Sequence, residues 1–173
     1  VFDGTKATPY HEYDVQQPIS VYGASKLAGE REAGSVAACF VVRTAWVYAS
    51  EGRNFMVTMR RLMAERERLS VVNDQIGNPT LANDLADAIL RLIDDAPFGT
   101  YHVTNSGTAT WFDWANEIRL QTNSTVEIDA IPGVDFPRVA KPPQNGSLES
   151  QLLPGLGIEM PDWRDALKRC LHR

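Results

Sequence analysis

Residues 37–48, Ala-Ala-Cys-Phe-Val-Val-Arg-Thr-Ala-Trp-Val-Tyr, form a nearly continuous apolar run that is rich in valine and aromatic side chains. A run of this kind predicts a strand that is covered on both faces, as in a parallel sheet. Amphipathic segments are predicted to be helical on both sides of it. Because helices alternate with apolar strands along the chain, the sequence indicates an α/β fold.

The alternation continues on both sides of this run. Ser20 is a candidate cap for one helix, and Thr110 with Asp113 resembles a capping box at the start of another. Asn83 and Asp84 are predicted to start a third helix. The predicted helices cover residues 20–33, 54–68, 83 onward, 110–120 and 161–171, and the other predicted strands cover 69–72, 80–81, 100–104 and 125–128.

Length and composition limit the class of protein. A chain of 173 residues with 43% hydrophobic and 23% charged residues can bury a core, which argues against disorder. The formal charge of -5 argues against a broad basic face for nucleic acid or acidic lipid. No apolar run approaches the roughly 20 residues of a membrane span. Together these features predict a soluble, cytoplasmic protein without nucleic-acid or membrane partners.

The chain begins with Val1-Phe2-Asp3-Gly4 and without methionine. This pattern is typical of a strand end that runs into a turn. A strand end without its preceding strand predicts that the chain is the back part of a longer protein, and ordinary processing is the alternative.

Tyr22 and Lys26 are the residues with the clearest chemical meaning. Side chains four residues apart project side by side from a helix. The lysine cation favours the ionised form of the phenol, so Tyr22 is a candidate proton donor to a carbonyl group that is being reduced. Such a pair also occurs on many solvated helix faces, so the pair alone leaves both interpretations open.

Several motifs in fixed order extend this pair over nearly the whole chain. They are Val21-Tyr22-Gly23-Ala24-Ser25-Lys26-Leu27-Ala28-Gly29-Glu30, Arg43-Thr44-Ala45-Trp46-Val47-Tyr48, Asn54-Phe55, Asp74-Gln75-Ile76-Gly77-Asn78-Pro79-Thr80 and Pro161-Asp162-Trp163-Arg164-Asp165-Ala166-Leu167. In these motifs the chain resembles the extended short-chain dehydrogenase/reductases, and within them the dTDP-4-dehydrorhamnose reductases. The resemblance implies the carboxy-terminal part of a doubly wound, Rossmann-like parallel sheet in about residues 1–50 and a small α/β substrate-binding lobe in about residues 51–173.

The resemblance also implies an activity, the reduction of dTDP-4-dehydro-L-rhamnose to dTDP-L-rhamnose with NADPH or NADH. It implies that Tyr22 protonates the developing alkoxide, that Lys26 holds the nicotinamide ribose hydroxyls, and that both residues bind the cofactor. The candidate substrate-binding residues are Trp46, Asn54, Thr80 and Lys141. The expected partner is the dTDP-4-keto-6-deoxyhexose substrate, and a homodimer is left open. No metal site is expected, because His11 and His102 lack metal-ligand spacing and are interpreted as structural.

Two departures from the family pattern qualify this expectation. Lys141 stands where the family carries an arginine, and lysine lacks the bidentate fork for phosphate, which puts substrate affinity or identity in doubt. The glycine-rich cofactor turn is absent from the 173 residues. The main cofactor-binding half is therefore expected outside this chain, and the isolated chain is expected to be inactive.

Other interpretations of the same residues stay open. Trp46 is also compatible with a core tryptophan at a strand end, and Asn54 and Thr80 with ordinary turn chemistry. At the level of function, one alternative is a non-catalytic binding relative such as the regulatory subunit of methionine adenosyltransferase. A second alternative is an epimerase or dehydratase of another nucleotide sugar.

Overall fold

The computed structural model describes residues 1–136, 140 and 142–172 and confirms the α/β fold. The helices are α1 (Val21–Gly34), α2 (Phe55–Glu65), α3 (Ala82–Asp95), α4 (Trp111–Gln121) and α5 (Trp163–Leu171). The strands are β1 (Phe40–Arg43), β2 (Val47–Tyr48), β3 (Arg68–Val72), β4 (Ile76–Gly77), β5 (Thr80–Leu81), β6 (Gly99–His102), β7 (Ala109–Thr110) and β8 (Glu127–Ile131). Within these described ranges no helix is both long enough and apolar enough to cross a bilayer.

The strands form three parallel pairs and one antiparallel pair. β1 pairs with β6, β2 with β5 and β3 with β8, all parallel, whereas β4 and β7 are antiparallel. Each parallel pair joins strands that are separated in sequence by at least one helix, as parallel connections require. Two of the pairs cross the predicted division near residue 50, and that division stays a prediction.

The prediction of one covered strand over residues 37–48 is wrong in extent and in burial. The run divides into β1 and β2, and the first three residues of β1 are only half-buried. The backbone of Trp46 has a φ of 45°, in the left-handed region, which cannot continue a strand. The break therefore covers residues 44–46 and ends at the tryptophan, and β2 begins immediately after it.

Local capping signals account for most of the helix starts. The Ser20 hydroxyl accepts a hydrogen bond from the Gly23 amide at 3.0 Å, and the capping box of Thr110 and Asp113 is complete, so both predicted caps are confirmed. Asn83 and Asp84 lie in the first turn of α3 as predicted, but Asn83 does not cap it, because the helix begins at Ala82 without a side-chain cap. β5 leads directly into the helix, and the Leu81 amide is bound instead by the Asn105 side chain at 2.8 Å.

The main hydrophobic core lies between α2, α4, α5 and the strands β2, β3 and β5. Its largest fully buried side chains include Trp114, Trp163, Tyr48, Met56, Leu81, Ile118 and Leu167. Trp46 and Trp111 pack against this core from its partly exposed side. A smaller core packs α3 against β6 and the segment 152–160. The aromatic side of the main core therefore reaches the surface where β1 ends.

Candidate functional site

Tyr22 and Lys26 lie one helical turn apart at the start of α1. Tyr22 exposes 72% of its surface, and the Lys26 Nζ lies 5.4 Å from the centre of the Tyr22 ring. Gly23 allows this turn to pack closely on Pro18, because a Cβ there would lie 2.9 Å from the Pro18 Cβ. None of the salt bridges among the described residues involves Lys26. Its charge is therefore free to act on the phenol or on a bound molecule.

A cavity of about 550 Å³ opens beside this turn. Tyr22, Lys26 and Trp46 line it together with Arg43 at the end of β1 and with loop residues around Asn145. The volume falls within the range of small-molecule sites, roughly 300–1,000 Å³. The structure thus brings three of the predicted site residues to one concave surface, although they come from two separate parts of the sequence.

Trp46 belongs to a stack of aromatic rings that runs from the cavity into the core. Its ring lies 3.7 Å from that of Trp111 with an interplanar angle of 16°, and 6.0 Å from that of Trp114. Phe55 contacts both of these partner rings. The indole at the cavity is therefore supported by a rigid aromatic layer.

A buried arginine fastens the Tyr-Lys helix to the sheet. The Arg43 Nε and Nη2 donate to the Glu30 carboxylate at 3.0 and 2.7 Å, and Glu30 lies on α1 one turn beyond Lys26. The Arg43 Nη1 lies 3.2 Å from the His102 Nε2 and donates to the Glu12 carbonyl at 3.4 Å. This cluster connects α1 with β1 and β6 at the cavity, which Arg43 and Glu30 also line.

His102 takes part in this cluster as a neutral ring. Its Nδ1 donates to the Tyr10 carbonyl at 3.0 Å, which leaves Nε2 to accept from Arg43. Burial lowers the pKa of His102, and the Arg43 cation lowers it further against the opposing effect of Glu12. Burial opposes ionisation of Glu12, but hydrogen bonds from the Ser150 hydroxyl and from backbone amides keep the pKa of this carboxyl low. His102 is thus held uncharged beside two charged groups.

Two of the other candidate substrate residues, Asn54 and Thr80, are not among the residues that line the cavity. The Asn54 Oδ1 caps α2 by accepting from the Val57 amide at 3.0 Å, and its Nδ2 donates to the Ala49 and Glu51 carbonyls. Thr80 is fully buried, and its hydroxyl donates to the Asn78 carbonyl at 3.1 Å. Lys141 lies outside the described residues. The substrate-binding roles of these three residues stay predictions.

Sequence reasoning missed three residues that shape the site, namely Arg43, Gly77 and Trp111. A charged side chain inside an apolar run is a signal for a buried ion pair, and Arg43 in the run 37–48 gives that signal. Gly77 precedes Asn78-Pro79 and indicates only a turn, and Trp111 follows a helix cap and indicates only a helix start. Among the residues that the structure describes, no group of three or more histidine, cysteine or acidic side chains could hold a metal ion.

The parallel strand pairs and the α/β order of elements define a Rossmann-like fold, which the structural neighbours of this chain, among them reductases and an epimerase, share. The chain belongs to the RmlD substrate binding domain family, which matches residues 1–173. The dTDP-4-dehydrorhamnose reductase of Burkholderia thailandensis is 37% identical over 99% of this chain, and the match covers 64% of that protein.

Comparison with solved structures shows similarity to the same family of reductases. The dTDP-4-dehydrorhamnose reductase from Bacillus anthracis in complex with NADP has a TM-score of 0.95 and 39% identity, and the match covers 99% of this chain and 62% of that one. The dTDP-glucose 4,6-dehydratase from Bacillus anthracis in complex with NAD has a TM-score of 0.79 at 14% identity, covers 96% of this chain and 56% of that one, and shows the fold alone. The chain therefore spans less than two thirds of the relatives that it matches.

Proposed function

We propose that the chain carries the substrate site and the proton donor of an NAD(P)H-dependent dTDP-4-dehydrorhamnose reductase. The observation that carries this proposal is that Tyr22, Lys26 and Trp46 line one cavity. The reaction is the reduction of the C4 carbonyl of dTDP-4-dehydro-L-rhamnose to the alcohol of dTDP-L-rhamnose. The identity of 37 to 39% to reductases of that name supports it.

Tyr22 and Lys26 each have a distinct task in this reaction. The Tyr22 hydroxyl donates a proton to the oxygen that develops charge at C4. Lys26, whose Nζ lies 5.4 Å from the centre of the Tyr22 ring, holds the ribose hydroxyls of the nicotinamide cofactor. Exposure of both side chains at the cavity fits these contacts. NADPH or NADH, when bound, supplies the hydride that C4 receives.

Trp46 presents an aromatic surface to the substrate. Because Tyr22 must reach the oxygen on C4, the sugar occupies the cavity beside the tryptophan. One face of the indole stacks on Trp111 and Gly77 lies against the other, so the edge of the indole is the part of Trp46 that meets the sugar. Asn54 and Lys141 are proposed as further contacts to the nucleotide sugar, and Thr80, which is fully buried, as a support of the site without direct contact. The cytoplasm is the proposed location.

Reductase activity tests the proposal in a chimaera, since the match covers 62% of the Bacillus anthracis enzyme. The chimaera adds to this chain the part of that enzyme which the match does not cover, and it is assayed with NADPH and dTDP-4-dehydro-L-rhamnose. We expect Tyr22→Phe to lower the rate by about 100-fold or more, because the proton donor is removed.

Tyr13→Phe is the matched control, because Tyr13 is 74% exposed and is not among the residues that line the cavity. We expect it to leave the rate unchanged. A Tyr22→Phe chimaera as active as the Tyr13→Phe chimaera would show that Tyr22 is not the proton donor.

A further inference from the structure

Trp46 holds an unfavourable backbone conformation at the wall of the cavity. Its φ of 45° lies in the left-handed region, which a bulky side chain rarely adopts. Such a conformation persists only where the surroundings fix it, and it is concentrated at functional sites. Contacts elsewhere in the molecule must therefore hold this residue in place.

Two contacts of the indole supply that constraint. The ring of Trp111 stacks on it with a centroid distance of 3.7 Å, the closest approach of any two rings in the described part of the chain. Gly77 lies against the indole so closely that a Cβ there would be 2.4 Å from the Trp46 Cε2. Backbone and side chain of Trp46 are thus fixed by residues distant in sequence.

Trp111 is itself held by a helix and by a second ring. It is the first residue of α4, directly after the complete capping box of Thr110 and Asp113. The ring of Phe55, at the start of α2, lies 4.7 Å from it at an angle of 51°. Trp111 is half-buried and is not among the residues that line the cavity, so it acts on a ligand there only through Trp46.

We propose that Trp111 is a positioning residue that sets how strongly the protein distinguishes a nucleotide sugar from the nucleotide alone. It does so by holding the Trp46 indole in the orientation that packs against the sugar. This inference rests on the proposed function, in which the sugar lies between Tyr22 and Trp46. Loss of the stack frees the indole to leave the strained conformation, and the sugar then loses its partner surface.

The test compares two ligands, dTDP and dTDP-L-rhamnose, by titration calorimetry of the 173-residue chain. The measured quantity is the ratio of the Kd for dTDP to the Kd for dTDP-L-rhamnose. We expect Trp111→Ala to lower this ratio by about three- to tenfold, the value of one aromatic pair. We expect Trp111→Phe to restore most of it, because a phenyl ring still stacks.

Leu62→Ala is the control for a general loss of stability. Leu62 is half-buried and packs against the same core, and its truncation leaves the ring stack intact. We expect it to lower the urea midpoint without changing the ratio. Near-ultraviolet circular dichroism reports the stacked indoles independently, and we expect Trp111→Ala to reduce that signal.

The outcomes separate this inference from the proposed function. A folded Trp111→Ala variant, or a Trp111→Leu variant should the alanine fail to fold, that keeps the wild-type ratio and dichroism would overturn the role of Trp111. If the wild-type chain binds dTDP and dTDP-L-rhamnose equally, the sugar does not occupy the cavity, and the proposed function falls together with this inference.

Discussion

At the scale of single residues, the site depends on Gly77, which has no side chain and so leaves room for the Trp46 indole. A Cβ at Gly77 would lie 2.4 to 2.8 Å from three atoms of the Trp46 indole, so a larger residue and the indole cannot both keep their positions. The left-handed backbone of Trp46 leaves the ring few alternative orientations. Gly77 is thus required for packing, in addition to its place in β4.

We expect Gly77→Ala to lower the free energy of unfolding by about 1–3 kcal/mol, because it overpacks a rigid contact. Binding of dTDP-L-rhamnose weakens in the same variant, because the indole is displaced. Urea unfolding and calorimetry measure the two effects. Gly29→Ala is the control, because a Cβ at Gly29 in α1 would have nothing within 4 Å. We expect this substitution to raise the free energy of unfolding by about 0.5–1 kcal/mol.

Asn54 combines a structural role with a predicted substrate contact, and two substitutions separate them. Asn54→Ala removes the cap of α2 and is expected to cost about 1 kcal/mol. Asn54→Asp keeps a capping oxygen and most of that stability. If Asn54 contacts the nucleotide sugar, the new carboxylate repels the diphosphate, so we expect Asn54→Asp to weaken dTDP-L-rhamnose binding. Unchanged affinity would limit Asn54 to capping.

At the scale of elements, α1 is held to the sheet by charge more than by apolar contact. Of its 14 residues only Gly23 and Leu27 are buried. The Arg43 side chain on β1 forms a bidentate ion pair with the Glu30 carboxylate on α1. The two side chains are 8% and 17% exposed. The orientation of Tyr22 and Lys26 therefore depends on an arginine in β1.

We expect Arg43→Met to cost about 3 kcal/mol or more, because it leaves the Glu30 carboxylate partly buried without its partner. Amide hydrogen exchange in α1 is expected to accelerate more than exchange in α4. Arg61→Met is the matched control, because the Arg61 and Glu65 side chains are 61% and 51% exposed and their pair contributes under about 0.5 kcal/mol. Equal losses in the two variants would contradict an anchoring role for Arg43.

The elements that the sequence predicted best are those with local signals. The caps of α1 and α4 depend on residues three apart, Ser20 with Gly23 and Thr110 with Asp113, and both were predictable. The break at Trp46 depends on Gly77 and Trp111, which are 31 and 65 residues away. Since tertiary contacts impose that break, no pattern within the run 37–48 could reveal it.

The same distinction applies to the site. The spacing of Tyr22 and Lys26 on one helix is local and predicted their proximity, which the structure confirms. The cluster of Arg43, Glu12 and His102 joins three distant segments, and its members carry no shared spacing. Residues that stabilise a site through contacts between distant segments are therefore found only once the fold is known.

At the scale of the whole molecule, this cluster makes stability dependent on pH. Glu12 accepts hydrogen bonds from the His102 amide and from the Gln151 amide, both at 3.0 Å, and so joins β6 to the carboxy-terminal segment. The pKa of His102 is lowered by burial, and hydrogen bonds outweigh burial to lower that of Glu12. Both groups bind protons more weakly in the folded protein than in the unfolded chain.

We expect the free energy of unfolding to fall as the pH decreases below 6.5, the ordinary value for histidine, and further below 4.5, that for glutamate. Stability is fully present above these values and is lost as the pH falls through the folded pKa of each group, by up to about 1.4 kcal/mol per pH unit and proton. Urea unfolding at pH values from 7.5 to 4 measures this decline in the free energy of unfolding. His102→Asn is expected to flatten the decline below pH 6.5, and an unchanged slope would contradict the assignment to His102.

The most direct test of the central claim is titration calorimetry of dTDP-L-rhamnose into this chain and into its Trp46→Ala variant. The cavity of Tyr22, Lys26 and Trp46 predicts one binding site per chain and an affinity that falls roughly tenfold without the indole. The absence of binding, or equal affinity in the two proteins, would contradict a nucleotide-sugar site at this cavity.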